Sequence, residues 1–146
     1  MELSDYKFLV VDDHFLLRQM MVNTLKEFGF LKCDTANDGA QGLEKIRQAK
    51  TEGAPYHVVF LDWNMPVMTG VQALETCRAD PTLDDTAIII LSSESEEVNI
   101  VQALQAGATA YITKPFRSDT ILAKLKDIEL WRNKKLSGAE SSGGTL

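Results

Sequence analysis

Five short runs of apolar, β-favouring residues punctuate the chain, at residues 8–11, 32–36, 57–61, 87–91 and 110–112, and longer stretches of helical period separate them. Phe8-Leu9-Val10-Val11 and Ala87-Ile88-Ile89-Ile90-Leu91 are apolar at every position, the pattern of strands covered on both faces. Leu17, Met21 and Phe28 share one face of a first helix that closes near Gly29. Asp38 with Gln41, and Ser93 with Glu96, have the spacing of capping boxes opening a second and a fourth helix. Leu43 and Ile46 face inward on the second, and Val71, Leu74 and Cys77 mark the third. The fourth runs through Ala106 to a stop at Gly107, and Ile121, Leu125 and Ile128 mark the fifth.

Strand and helix in strict alternation predict an α/β fold, a (βα)5 doubly wound parallel sheet whose right-handed crossovers leave few topologies. By analogy with flavodoxin-like sheets the expected strand order is 2-1-3-4-5. The length of 146 residues suits one domain, and the apolar period stops after Trp131. Residues 1–131 are therefore expected to form the domain, and the small polar residues of 132–146 a flexible C-terminal tail.

Fifteen basic against 21 acidic residues give a formal charge of −6, the wrong sign for neutralising nucleic-acid phosphates. No apolar segment approaches the ~20 residues of a membrane span, and Met1-Glu2-Leu3-Ser4-Asp5 lacks the order of a secretory signal, so a cytoplasmic protein is expected. Cys33 and Cys77 lie in no metal-ligand or redox spacing and are expected to be reduced thiols without a role.

The chemistry gathers where strands end. Ligands of open parallel sheets bind in the crevice outside the strands' carboxyl ends. In a 2-1-3 order Asp12 and Asp13, after the first strand, meet Asp62, after the third. Three carboxylates in one crevice repel, and a divalent cation resolves the repulsion; Mg²⁺ suits oxygen donors while leaving positions for phosphoryl oxygens. Ser92 ends the fourth strand and Lys114 follows the fifth, adding a hydroxyl and an ammonium for an anionic group, with Asp62 as nucleophile. Taken singly, each has a simpler role: helix caps for Asp12, Asp13 and Ser92, a turn for Asp62, a solvated charge for Lys114, a half-buried strand aromatic for Tyr111. Their coincidence at four sheet-edge positions is what points to phosphoryl chemistry.

The segments Val10-Val11-Asp12-Asp13, Leu61-Asp62-Trp63-Asn64-Met65-Pro66, Ser92-Ser93-Glu94 and Tyr111-Ile112-Thr113-Lys114-Pro115-Phe116 closely resemble the receiver domains of two-component response regulators, over about residues 7–126. Within that family the likeness is strongest to single-domain chemotaxis regulators, notably in Asp62-Trp63-Asn64-Met65-Pro66 and Gln105-Ala106-Gly107-Ala108. The resemblance implies a switch, not a conventional enzyme, in which a sensor histidine kinase phosphorylates Asp62. It implies that Asp13, Asp62 and the backbone carbonyl of Asn64 bind Mg²⁺, with Asp12 acting through water. By the same likeness Lys114 bonds the phosphoryl group across a cis peptide to Pro115, and Ser92 and Tyr111 form the moving switch. By the same likeness Asn64 and Glu94 would tune dephosphorylation. Partners would dock on the face of the fourth helix, fifth strand and fifth helix, including Glu96, Glu97, Tyr111 and Lys124.

One departure bears on the downstream partner. Where chemotaxis regulators offer a basic pair, this chain has Ser95-Glu96-Glu97-Val98. Acids at a helix start are also simply favourable to its dipole, whereas against a flagellar motor switch protein the like charge would be penalised. The alternative to a motility switch is a phosphate sink or relay that hands its phosphoryl group to a phosphotransfer protein. A phosphatase with an Asp nucleophile is disfavoured, since Asp12-Asp13-His14-Phe15 lacks the second acid of an Asp-x-Asp pair.

Overall fold

All five apolar runs form strands: β1 (Phe8–Val11), β2 (Cys33–Ala36), β3 (Val58–Asp62), β4 (Ala87–Ser92) and β5 (Ala110–Thr113). They pair in parallel in the order β2-β1-β3-β4-β5. The computed structural model describes residues 1–93 and 97–138; the side chains of Glu97 and Val98 fall outside that description. The predicted doubly wound α/β sheet is thus the fold, with helices α1 (Phe15–Glu27), α2 (Gly39–Thr51), α3 (Gly70–Arg78), α4 (Glu97–Gln105) and α5 (Ser118–Leu136).

Alternation of side chains along the strands divides the core in two. Phe8, Val10, Phe60, Ile89, Leu91 and Ile112 pack with α1 and α5 residues such as Met21, Leu25, Ile121 and Leu125. Leu9, Val11, Val59, Leu61, Ile88 and Ile90 pack on the other face with Leu43, Ile46, Leu74 and Ala103. Every residue of β1, β3 and β4 is buried, whereas the edge strands β2 and β5 are only partly covered. The three strands whose ends carry acids or the serine are therefore the most firmly held.

The helix starts depart from the expected caps in detail. Asp38 caps α2 by accepting from the Gln41 backbone N–H at 2.8 Å, but Gln41 reaches back to the N–H of Asn37 at 2.6 Å rather than to Asp38. A full capping box instead opens α3, where Thr69 and Gln72 exchange bonds of 2.9 and 3.3 Å. The box expected at Ser93 and Glu96 lies partly outside the described residues. At the other end of the chain, α5 continues past Trp131 to Leu136. Lys134 and Lys135 in its last turn complement the helix dipole, and the Lys135 Nζ lies 5.3 Å from the Trp131 ring centroid. Apolar period alone underestimates a helix whose last turn is stabilised by charge.

The loop after β3 closes tightly under Asp62. The Gly70 N–H donates to the Trp63 carbonyl at 2.9 Å, and a Cβ on Gly70 would lie 2.3 Å from the Asp62 carbonyl oxygen. Backbone cannot yield as a side chain does, so Gly70→Ala is expected to lower stability by about 1–3 kcal/mol. Urea unfolding checks this through a lower midpoint at unchanged slope.

Candidate functional site

Asp12 leaves β1 with its backbone tied to β2, the Asp12 N–H donating to the Ala36 carbonyl at 3.2 Å. Asp62 is the last residue of β3, and the next N–H, of Trp63, donates to the Leu91 carbonyl of β4 at 2.8 Å. Ser92 closes β4 opposite Thr113, and its carbonyl accepts from the Lys114 N–H at 2.6 Å. The Lys114–Pro115 peptide is cis. Sheet register thus brings Asp12, Asp13, Asp62, Ser92 and Lys114 to one edge.

The pocket they form is dense in charge and buried at its floor. The Lys114 ammonium donates to Asp12 Oδ2 at 3.1 Å and to Asp62 Oδ1 at 3.0 Å. The side chains of Asp12, Asp62 and Lys114 are 2%, 4% and 11% exposed, whereas Asp13 is 29% exposed at the mouth. Asp62 Oδ2 has no hydrogen-bond partner, an orphaned buried acceptor. Burial first, then the charge of Asp12, pushes Asp62 up to about 6, while Lys114 works in the opposite direction. Burial pulls the Lys114 ammonium down, but the bonds and charges of Asp62 and Asp12 outweigh it, and its pKa rises. An ion pair ordinarily lowers its carboxylate. Here that lowering is outweighed by burial first and by the charge of Asp12 second.

Donor atoms of Asp12, Asp13, His14 and Asp62 lie within 4.8 Å of one another, a set able to hold a metal ion. Oxygen donors and an orphaned buried carboxylate oxygen fit a hard divalent cation such as Mg²⁺. Sequence patterning missed His14; an imidazole directly after the acid pair was its available signal. Asn64 is exposed in the loop beyond Asp62, and Met65 is buried beneath it. Further along the loop Val67 is 98% exposed with φ of 69°, a conformation costly for a β-branched residue, which no apolar pattern reports.

Asp12 is not the cap of α1; it accepts instead from the His14 N–H, ahead of the helix, at 2.8 Å. His14 itself occupies the N-cap of α1 without a side-chain cap bond. Tyr111 is half-buried and, with Lys124, lines a cleft of about 370 Å³ beside the pocket, bounded by Ile100, Leu104, Phe116 and Arg117. Glu94 and Glu96 lie outside the described residues, as does the Glu97 side chain. Cys33 and Cys77 stand apart from the site, and burial pushes both thiols up to about 11, so they stay protonated at neutral pH. No helix among the described residues is long and apolar enough to cross a membrane.

A doubly wound sheet with acids, hydroxyl and lysine at its switch-point crevice defines an α/β protein with a charged pocket at its strand ends. The chain belongs to the response regulator receiver domain family, whose model matches residues 8–126. Chemotaxis protein CheY-3 of Vibrio cholerae is 34% identical to it over 125 residues, 86% of this chain and 92% of that protein. Chemotaxis protein CheY of Pseudomonas aeruginosa is 32% identical over 122 residues, 84% of this chain and 94% of that protein. The crystal structure of Vibrio cholerae CheY4 at low pH aligns with a TM-score of 0.76 at 33% identity, over 84% of this chain and 98% of that one. The acidic cluster is of the kind typical of the receiver Mg²⁺ site. Family membership places the chain in two-component signalling rather than among conventional enzymes and implies a histidine kinase as partner.

The raised pKa of Asp62 has a consequence for stability. Between its unfolded value near 3.8 and about 6, the folded state holds more protons than the unfolded one, so stability falls as pH rises through that window. With cations removed by chelator, Asp62→Asn should therefore raise the urea midpoint at pH 7.5. That gain should vanish below pH 3.8, where wild-type Asp62 is protonated in both states.

Proposed function

We propose that this chain is a phosphorylation switch of the chemotaxis type, accepting a phosphoryl group on Asp62 from a histidine kinase and relaying the change to a protein-binding face. The observation that carries this is the Lys114 ammonium bridging Asp12 and Asp62 while Asp62 Oδ2 stays without a partner. That arrangement holds the acceptor carboxylate in place and sets an ammonium where phosphoryl charge would arrive.

In the transfer an Asp62 oxygen bonds phosphorus as the P–N bond of a phosphohistidine breaks, and the imidazole leaves neutral with its proton on the other nitrogen. Lys114 balances the phosphoryl oxygens, with the Ser92 hydroxyl turning toward them. Asp13, Asp62 and the Asn64 carbonyl, with Asp12 through water, would hold Mg²⁺, which supplies neutralising charge when bound. Movement of Ser92 frees space that Tyr111 enters, and the cleft of about 370 Å³ lined by Tyr111 and Lys124 changes shape. Asn64 and Glu94 would set how quickly water removes the phosphoryl group. Residues 1–131 would carry this switch, with the last turn of α5 to Leu136 and the residues after it as an appendage.

The likeness to chemotaxis proteins favours a flagellar motor switch protein as the listener. Glu97, the first residue of α4, and Glu96 before it in the sequence are acids that favour the second reading, a phosphate sink or relay that passes the group to a phosphotransfer protein. Binding of a motor switch peptide with and without phosphorylation separates the two: a gain on phosphorylation supports the switch, and no gain supports the sink.

Trp63, half-buried beside the acceptor, is the reporter for the transfer itself. A small phosphodonor with Mg²⁺ is expected to change its fluorescence and add one phosphoryl group by mass. Asp62→Asn should abolish both, and labelling that persists in this variant would remove Asp62 from its role. Asp13→Ala should weaken Mg²⁺ binding at least about tenfold; unchanged binding would remove Asp13 from the ligand set.

A further inference from the structure

His14 stands in the acidic pocket without a structural task. It occupies the N-cap position of α1, yet its side chain caps no backbone N–H of that helix. Its ring turns back toward the acids instead, with Nδ1 at 3.2 Å from Asp12 Oδ1 and 3.2 Å from Asp13 Oδ1. Its own backbone N–H is satisfied by Asp12 Oδ1 at 2.8 Å, so the imidazole is not needed to hold that turn. A His14 nitrogen and one carboxylate oxygen each from Asp12, Asp13 and Asp62 fall within 4.8 Å of one another. That is the span over which four donors close on a single cation.

A second observation points to a missing partner at the same place. Asp62 is 3% exposed, and its Oδ2 accepts nothing while Oδ1 is taken by Lys114. The side chain of His14 is 63% exposed, so its ring turns at little cost.

We infer that His14 is a metal ligand of this pocket, making it a mixed oxygen and nitrogen site that holds first-row transition ions such as Mn²⁺ or Ni²⁺ more tightly than oxygen donors alone would. The chemistry is that of ligand type. Mg²⁺ takes oxygen and gains little from an imidazole, whereas affinity for an imidazole rises along the series from Mn²⁺ through Ni²⁺. His14 would thus set which ion the pocket carries, without contacting the phosphoryl group. The inference rests on the pocket being a cation site, and its test separates the two ideas.

The chain holds only two histidines, and the other is remote. His57 precedes β3 at the opposite end of the sheet, where its Nδ1 accepts from the Lys7 N–H at 2.8 Å and its ring stacks on Tyr6. A coordinated imidazole at the acidic edge is therefore traceable to His14. The untagged full chain, stripped with chelator, is titrated with Mg²⁺ and with Ni²⁺ while Trp63 fluorescence is followed. In His14→Ala, Ni²⁺ affinity should fall at least about tenfold while Mg²⁺ affinity changes less than about threefold. Pulsed electron paramagnetic resonance of the protein with one equivalent of Cu²⁺ should show a directly bound imidazole nitrogen in the wild type that His14→Ala lacks. Equal weakening of both ions, or unchanged Ni²⁺ affinity, would overturn His14 as a ligand while leaving the cation site standing. Failure of every ion to bind the wild type would overturn both.

Discussion

One ammonium among three carboxylates is the constraint on which the rest of this structure depends. Lys114 reaches Asp12 and Asp62 at 3.1 and 3.0 Å, but Asp13 stands at the mouth of the same pocket and the sum remains negative. Two like charges about 4 Å apart oppose each other by about 4 kcal/mol at an effective dielectric of 20. That is a large fraction of the ~5–15 kcal/mol by which a domain is stable. Burial first, and the Asp12 charge second, raise the proton affinity of Asp62 although it is ion-paired. A pocket left short of positive charge is one that a divalent cation completes, and one that registers a change of charge strongly.

Holding repelling acids together requires a stiff frame, and the frame is the buried part of the sheet. β1, β3 and β4 are covered at every residue by two cores that share no side chain, so the strand ends cannot part without opening both. Gly70 lets the loop after Asp62 fold tightly back, its N–H on the Trp63 carbonyl. Arg78 anchors the neighbouring layer, donating to the carbonyls of Gly107, Leu83 and Thr86 at 2.8 to 2.9 Å and so tying α3 to the turn before β5. The opposite wall is looser: β5 is an edge strand, and the cleft beside Tyr111 leaves room for movement. Stiffness around the acids and free volume on the β5 side are the combination that a charge-driven switch needs.

Much of this was legible from residues in order. The five strands were readable because central parallel strands are apolar throughout, and the convergence of Asp12, Asp62 and Lys114 followed once strand ends were superposed. What escaped did so for identifiable reasons. The last turn of α5 is held by lysines and not by apolar period, so it reads as tail. Gln41 satisfies Asn37 instead of Asp38 because a long amide side chain has more than one N–H in reach. Gly70 looks like any loop glycine until the carbonyl that its Cβ would strike is known. His14 looked like one more polar residue at a helix start, and only the direction of its ring brings it to the acids.

Sequence by itself determined the class of fold, the strand ends that carry chemistry and the identity of the charged groups there, because periodicity and residue type are local properties that survive without coordinates. Tertiary structure decided how those groups meet: that Lys114 divides itself between Asp12 and Asp62, that one Asp62 oxygen is left over, and that Nδ1 of the exposed His14 ring is turned to the acids. Those facts depend on angles and distances between residues up to 102 positions apart, which burial and sheet register set and no local pattern encodes.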